Sequence, residues 1–189
     1  MARQVYLFDP PERFVAGTVG EPGARTFFLQ ARGNGRLTSV ALEKQQVQLL
    51  AEQVERLLEE VRRVSGSDPL ADEPSAPEAD LGPLELPIEE EFRVATLALG
   101  WDPRISRVVI VAQAGGEGVA EAAPAIDDDD EADTEGPDVL RVRLTAAMAR
   151  EFAGRAQAVV AAGRPPCPFC ALPLDPAGHI CPRQNGYRR

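Results

Sequence analysis

The sequence predicts an α+β fold in which antiparallel sheets carry two amphipathic helices, followed by a cysteine-rich loop at the C-terminus. Three observations support this prediction: short runs of β-forming residues separated by turn signals, two stretches with helical periodicity, and three cysteines confined to the last 23 residues. A chain of 189 residues with 44% hydrophobic side chains is long enough for one domain with its own core. We assign the α+β domain to residues 1–163, and the cysteine loop with its basic tail to residues 164–189.

Four strands are predicted at the start of the chain, and residues that interrupt strands separate them. They are residues 4–8, 14–19, 26–31 and 38–42. Asp9-Pro10-Pro11 ends the first strand, because proline cannot donate a hydrogen bond within a sheet. Gly33-Asn34-Gly35 lies between the last two strands, and this combination is typical of a tight β-hairpin.

Two helices are predicted, each directly after a strand. Residues 44–64 repeat apolar side chains at intervals of three and four from Val47 onward, which predicts an amphipathic helix. Residues 146–162 predict a second helix with Thr145 as its N-cap, because a threonine oxygen accepts a hydrogen bond from the free N–H groups of the first turn. Three more strands are predicted at residues 92–99, 106–112 and 139–144.

The two halves of the chain resemble each other when the sequence is shifted by 102 residues. Val40 then meets Val142, and Leu42 meets Leu144, just before the two helices. The apolar positions of the helices coincide as well, for example Leu50 with Phe152. The match is consistent with a duplicated strands-plus-helix unit, and also with the patterning that any two strand–helix junctions share.

The net charge of −10 is distributed unevenly along the chain. Nine acidic residues and no basic residue lie between positions 64 and 92, and ten acidic residues and no basic residue lie from position 117 to 138. The other residues carry 20 basic side chains and 11 acidic ones, which predicts a basic folded part. Because acidic segments of this composition bury little apolar surface, residues 66–91 are predicted to be a Pro-rich linker and residues 115–137 an acidic loop.

The segment CPFCALPLDPAGHICP, residues 167–182, contains every cysteine and the only histidine of the chain. Its order Cys167-x2-Cys170-x8-His179-x-Cys181 offers three thiolates and an imidazole, a set that suits tetrahedral Zn²⁺. Cys167 and Cys170 are spaced as in the turn of a zinc knuckle. We therefore predict Zn²⁺ held by Cys167, Cys170, His179 and Cys181, in a structural role because four protein ligands leave no open position.

Other interpretations of the cysteine segment remain open. They are a redox-active C-x-x-C pair, an iron–sulfur centre and unligated side chains. A redox pair of the thioredoxin type follows a strand and opens a helix, whereas this one follows a helix and is flanked by prolines. The basic tail beyond Cys181 could bind phosphate, or it could fold over the metal and cover it with Tyr187.

The catalytic inventory of the sequence is small, because the only histidine serves the metal set and no phosphate-binding loop or nucleophile motif occurs. We therefore predict a non-enzymatic binding or adaptor protein with an unidentified protein partner. Single-stranded nucleic-acid binding, regulated by the acidic loops, is a first alternative, and clustered sheet arginines would favour it. The arginines concerned are Arg3, Arg25, Arg32, Arg93, Arg141 and Arg143. An enzyme for a small acidic metabolite is a second alternative, which a concave pocket lined by arginine and by Asp9 or Glu12 would favour.

The sequence also predicts the compartment. No run of 18 or more apolar residues occurs, and the N-terminus lacks the apolar stretch of a secretory signal. An odd number of cysteines does not suit a disulfide framework. We expect a cytoplasmic protein with reduced cysteines and no membrane association.

Three stretches of the sequence resemble a known family. They are RQVYLFDPPERFVAGTVGEPGARTFFLQAR near the N-terminus, PIEEEFRVATLALGWD in the centre and GRPPCPFCALPLDPAGHICPRQNGYRR at the C-terminus. Together they resemble an uncharacterised actinobacterial family, domain of unknown function family 3090. The resemblance implies a cytosolic bacterial protein, and it implies no activity.

Overall fold

The computed structural model describes residues 3–65, 80–115 and 136–163, together with eight positions of the C-terminal segment: 167–170, 172, 174, 181 and 183. These residues form seven strands and two helices in the predicted order, with ends shifted by at most three residues. The strands are β1 (Val5–Phe8), β2 (Arg13–Val19), β3 (Thr26–Gly33), β4 (Arg36–Leu42), β5 (Glu90–Asp102), β6 (Arg107–Ala114) and β7 (Val139–Leu144). The helices are α1 (Lys44–Ser65) and α2 (Ala146–Ala161). None of the described helices combines the length and the apolar character needed to cross a membrane.

Two local features have the structure that their residues predict. The β3–β4 hairpin turns through Asn34 and Gly35, whose φ angles of 53° and 71° are those of a tight primed turn. Thr145 is the N-cap of α2, because its Oγ1 accepts a hydrogen bond of 3.3 Å from the backbone N–H of Met148.

All seven strands belong to one sheet, with the order β1-β7-β6-β5-β4-β3-β2. β2, β3 and β4 are antiparallel neighbours, and so are β5, β6 and β7. The pairs β4–β5 and β1–β7 are parallel. The prediction of an α+β fold is confirmed, but the expectation of antiparallel sheets is only partly right, because α1 carries the chain from β4 to a parallel neighbour and so makes the sheet mixed.

The sheet must curl, because its two edge strands are consecutive in sequence. Six strand spacings would separate β1 from β2 by about 29 Å in a flat sheet. The five-residue step from Phe8 to Arg13 spans at most about 18 Å. The two edges do approach each other: β1 contacts β3, the strand next to β2, and a Cβ added to Gly33 would lie 3.2 Å from the Phe8 ring.

The two helices fill the concave side of the curled sheet. They pack against each other, and α2 contacts both β2 near one edge and β7 near the other. Phe14 of β2 stacks on Phe152 of α2 with ring centroids 4.7 Å apart. All seven strands and both helices contribute to this core, whose largest fully buried apolar side chains include Phe8, Leu29, Leu42, Val54, Ile110, Leu140, Leu144 and Phe152.

The two halves of the sequence occupy equivalent places in the sheet. β2-β3-β4-α1 and β5-β6-β7-α2 are each a three-stranded meander followed by a helix, and they follow each other along the sheet in the same order. Val40 and Val142, which the 102-residue shift equates, are both buried on the strand before the helix. Duplication of a strands-plus-helix unit stays a prediction that this arrangement favours.

Part of the predicted acidic linker packs against the convex side of the sheet. We call residues 80–88 the strap; residues 66–79 lie outside the described part of the chain. Leu84 is buried against Val15, Phe28 and Ala41, and Ile88 packs beside it. The side chain of Gln30 donates to the carbonyl of Glu85 and accepts from its N–H, at 3.0 and 2.8 Å. The prediction that residues 66–91 form an unpacked linker is therefore wrong for the strap, because Leu84 and these hydrogen bonds hold the strap against the sheet.

Substitution of Gly17 tests the strap contact. The Cβ of a Gly17→Ala variant would lie 2.5 Å from Cγ of Leu84, so the strap would have to shift. We expect the free energy of unfolding to fall by about 1–3 kcal/mol, measured by chemical denaturation. The matched control is Gly154→Ala on the exposed side of α2, where no atom lies within 4 Å of the new Cβ. That variant should gain up to about 1 kcal/mol from helix propensity.

A double variant separates the strap contact from other effects at Gly17. In a Leu84→Ala background the Cβ of alanine at position 17 no longer meets the Leu84 side chain. Most of the loss in free energy of unfolding caused by Gly17→Ala should therefore disappear. If Gly17→Ala lowers the free energy of unfolding equally in the Leu84→Ala background, Leu84 does not pack over Gly17.

Candidate metal centre and arginine cavity

Three cysteine sulfurs converge beyond the end of α2. The Sγ atoms of Cys167, Cys170 and Cys181 all lie within 4.8 Å of one another, and those of Cys167 and Cys181 are 3.9 Å apart. Cys167 and Cys181 are buried, whereas Cys170 is partly exposed. All three are free thiols rather than a disulfide. The arrangement is one that a soft metal ion could hold together.

The C-x-x-C turn presents backbone donors to sulfur. The N–H of Phe169 donates to Cys167 Sγ at 3.5 Å, and the N–H of Cys167 closes the turn by donating to the carbonyl of Leu172 at 2.8 Å. Arg183 reaches back to the turn, where its guanidinium donates to the carbonyl of Phe169 at 3.1 Å. These contacts join the two ends of the described loop around the sulfurs.

The environment favours thiolate at one cysteine and opposes it at another. Burial raises the pKa of the Cys167 thiol, but the N–H groups of Phe169 and Cys170 together with hydrogen bonds from the thiols of Cys170 and Cys181 outweigh burial, so this pKa lies below its ordinary value. The N–H of Leu172 lowers the pKa of Cys170, but burial and the neighbouring sulfurs of Cys167 and Cys181 outweigh it and leave that pKa raised. Three sulfurs this close cannot all carry a negative charge unless a cation compensates them.

The structure brings together three of the four predicted metal ligands. Cys167, Cys170 and Cys181 form the cluster, as their spacing indicated. His179 lies outside the described residues, and so does Tyr187 of the basic tail. The role of His179 as fourth ligand stays a prediction.

A second site lies beside β2, where the strap and α2 meet this edge strand. A cavity of about 250 Å³ there is lined by arginines, carboxylates and apolar side chains. Its lining residues are Glu12, Arg13, Phe14, Val15, Arg32, Asp80, Met148, Glu151, Phe152 and Arg155. The cavity combines arginines with Glu12, which is the combination expected for an enzyme that acts on a small acidic metabolite, and that alternative stays untested.

The strap neutralises two of the cavity arginines. Arg13 donates to both carboxylate oxygens of Asp80 and to the carbonyl of Pro83. Arg155 is only 7% exposed in its side chain; it donates to the carbonyl of Ala16 at 2.8 Å, to that of Gly82 at 2.6 Å and to Asp80. Burial lowers the pKa of the Arg155 guanidinium, and the charge of Asp80 opposes that effect.

Arg32 is held much less tightly than its neighbours. Its nearest carboxylates are those of Glu85 at 3.5 Å and Glu12 at 3.6 Å. Its Nε atom is buried and makes no hydrogen bond. The cavity therefore contains one guanidinium whose capacity to donate hydrogen bonds is only partly used.

Carboxylates compensate the charge of several sheet arginines in the described part of the chain. Three of them face carboxylates: Arg93 with Glu43 and Glu90, Arg143 with Asp9, and Arg32 with Glu12 and Glu85. Arg141 is fully buried on β7 and cannot contact a phosphate backbone. Arg32, Arg93, Arg141 and Arg143 alternate with core residues on their strands and therefore share the convex side of the sheet, so nucleic-acid binding stays an untested alternative.

Sequence reasoning missed the site that Arg155 and Asp80 build. Arg155 falls on the apolar face of α2, between Phe152 and Ala156, and a charged residue in that position was the available signal. The role of Asp80 could not be predicted, because nothing in the sequence of an acidic segment distinguishes the carboxylate that packs against arginines from those that face solvent.

The described residues define an α+β protein in which one curled, mixed sheet encloses two helices, with a three-cysteine cluster and a separate arginine cavity. A family model described as "Protein of unknown function (DUF3090)" matches residues 6–181. The chain belongs to this family, which confirms the family resemblance seen in the sequence. Comparison with curated proteins and with solved structures gave no match.

Asp80 should make the stability of the protein depend on pH. The Arg13 guanidinium holds the pKa of Asp80 below its ordinary value of 3.8, with further help from the N–H of Gly82 and from Arg155. The carboxylate therefore stabilises the fold above about pH 4, and this stabilisation is lost as the pH falls through its lower folded pKa. Asp80→Asn should lower the free energy of unfolding at pH 7 by about 1–2 kcal/mol.

Denaturation between pH 2 and pH 7 measures this effect. The difference between the wild type and Asp80→Asn should shrink as the pH falls below about 4. Glu55→Gln, on the exposed face of α1, is the control for loss of one carboxylate. A difference that stays constant down to pH 2 would show that the charge of Asp80 does not fix the strap.

Proposed function

We propose that this protein is a cytosolic zinc-binding protein with a non-enzymatic binding or adaptor function, in which a structural zinc ion shapes the C-terminal segment. The observation that carries the proposal is the convergence of Cys167, Cys170 and Cys181 with all sulfurs within 4.8 Å. Free thiols at this distance fit a reducing compartment, where a metal rather than a disulfide joins them.

The cluster fits the size of a zinc site. Four ligands at the usual Zn–S distance of about 2.3 Å form a tetrahedron whose sulfurs are about 3.8 Å apart. The 3.9 Å between the sulfurs of Cys167 and Cys181 agrees with that edge. His179, two positions before Cys181, is the fourth ligand in this proposal and completes a Cys3His set without an open position.

A closed metal site supports a binding role rather than catalysis at the metal. Metal binding supplies folding free energy to a segment that would otherwise order poorly. The side chains of Phe169 and Leu172 are about half exposed on the cysteine turn. Zinc would hold such apolar side chains on the surface, where a protein partner can contact them.

Replacement of Cys170 tests the metal assignment. The wild type should contain one zinc ion per chain by elemental analysis, and Cys170→Ser should lose most of it, because a neutral hydroxyl is a poor ligand for zinc. Phe169→Ala is the matched control: it changes the same turn, keeps the backbone donor to Cys167 and should retain the metal.

Cobalt substitution identifies the ligand set. Co²⁺ in a tetrahedral site with three thiolates gives intense sulfur-to-metal charge-transfer bands and visible d–d bands. His179→Ala should keep the charge-transfer bands and alter the d–d bands, because only a nitrogen ligand is lost. Undiminished zinc in Cys170→Ser, or an unchanged cobalt spectrum in His179→Ala, would contradict the proposed site.

Capture from cell extract tests the adaptor role. We expect the zinc-loaded chain to retain a discrete protein after nuclease treatment and the Cys170→Ser variant to lose that protein. The near-ultraviolet circular dichroism of the variant should stay native, which shows that Phe14 and the rest of the core remain folded. A yield of nucleic acid that nuclease abolishes would replace the adaptor proposal with nucleic-acid binding. Equal capture by both forms would show that the metal does not shape the binding surface.

A further inference from the structure

The arginine cavity combines features that a structural ion-pair network alone does not need. It has an open volume of about 250 Å³, below the range of drug-sized pockets but large enough for a few non-hydrogen atoms. Phe14, Met148 and Phe152 are apolar members of its lining, and Arg32 also lines it with a buried Nε that makes no hydrogen bond. A cavity lined both by apolar side chains and by a guanidinium with unused donor capacity matches a small molecule with an apolar body and an anionic end.

We propose that this cavity is a binding site for a small organic oxyanion, a carboxylate or a phosphate attached to a short apolar group. The anionic end binds Arg32 and Arg13, since a guanidinium offers paired N–H donors with the geometry of either oxyanion. The apolar group lies against Met148 and Phe152. This site is separate from the cysteine cluster and does not rest on the proposed zinc function.

The side chain of Glu85 is an internal competitor for the same arginines. Its two oxygens lie 3.4 Å from Arg13 and 3.5 Å from Arg32, longer than a strong ion pair, and about a third of its side chain is exposed. Its backbone is fixed by Gln30, so the carboxylate can turn to solvent without moving the strap. The anionic end of the ligand therefore replaces the Glu85 carboxylate at Arg13 and Arg32.

The remaining charged groups of the cavity form its frame. Asp80 binds Arg13 and Arg155, and Glu151 accepts a 2.8 Å hydrogen bond from the N–H of Asp80. Glu12 approaches Arg32 only to 3.6 Å. Arg32 with Arg13 is therefore the part of the cavity that an added anion can reach at the smallest structural cost.

Met148 makes the proposal directly measurable. The chain has two methionines, Met1 and Met148, so selective ¹³C-methyl labelling gives two signals, of which one lies in the cavity wall. The probes are 3-methylbutanoate, its neutral analogue 3-methylbutanamide, and inorganic phosphate, each titrated at low ionic strength. We expect a saturable shift of the Met148 signal with an oxyanion and none with the amide.

Variants assign the shift to the arginines. Arg32→Gln should weaken binding at least about tenfold, because a charge-assisted hydrogen bond is lost. Glu85→Gln should strengthen it about two- to fivefold, by removal of a weak exposed competitor. Arg93→Gln, another arginine paired with glutamates, is the matched control and should bind as the wild type does. Lys44→Gln tests a second cavity of about 550 Å³, which is lined by Lys44 and Arg25.

Each outcome decides the proposal. Saturation with 3-methylbutanoate alone identifies a carboxylate as the ligand, and saturation with phosphate alone identifies a phosphate. Either result supports an anion site in this cavity. The absence of a saturable Met148 shift overturns it, as does a shift of equal affinity in folded Arg32→Gln. Loss of binding in Lys44→Gln with retention in Arg32→Gln would move the anion to the other cavity and also overturn it.

Discussion

The fold depends on the four residues, 9–12, that join β1 to β2. Because so short a connection links the two edges of a seven-stranded sheet, the sheet cannot be flat, and its concave side must enclose whatever fills the space between the edges. The two helices fill it. The same connection ends at Glu12, beside the seam between β2, the strap and α2, and the arginine cavity opens at that seam. Sheet closure therefore shapes the core, whereas β2, the strap and α2 build the candidate anion site.

The strap supplies the charges that allow arginines to be buried at this seam. A guanidinium as buried as that of Arg155 is strongly destabilising unless anionic and carbonyl oxygens surround it. Asp80 and the carbonyls of Gly82 and Ala16 provide those oxygens. The acidic composition of this segment, which by itself suggests a solvated linker, thus has a structural role at its C-terminal end.

Local features were predictable from the sequence, and long-range ones were not. The turn at Asn34-Gly35, the cap at Thr145 and the convergence of Cys167 with Cys170 each depend on residues a few positions apart, so pattern alone reveals them. The parallel pairing of β4 with β5 and the approach of β1 to β3 depend on where the helices pack. Asp80 meets Arg13 across 67 positions, and no local pattern encodes that contact.

The two candidate sites would hold their ligands for different physical reasons. In the proposed zinc site, four protein ligands would leave no position for a substrate, so the metal would contribute shape. The described residues lining the arginine cavity include no histidine, cysteine or serine, and its carboxylates already face Arg13, Arg32 and Arg155 or backbone N–H groups. For Asp80 the hydrogen bonds from Arg13 lower the pKa, which makes this carboxylate a weaker base. The described lining of the cavity therefore supplies donors that can hold an oxyanion, which is the chemistry that the proposed anion site uses.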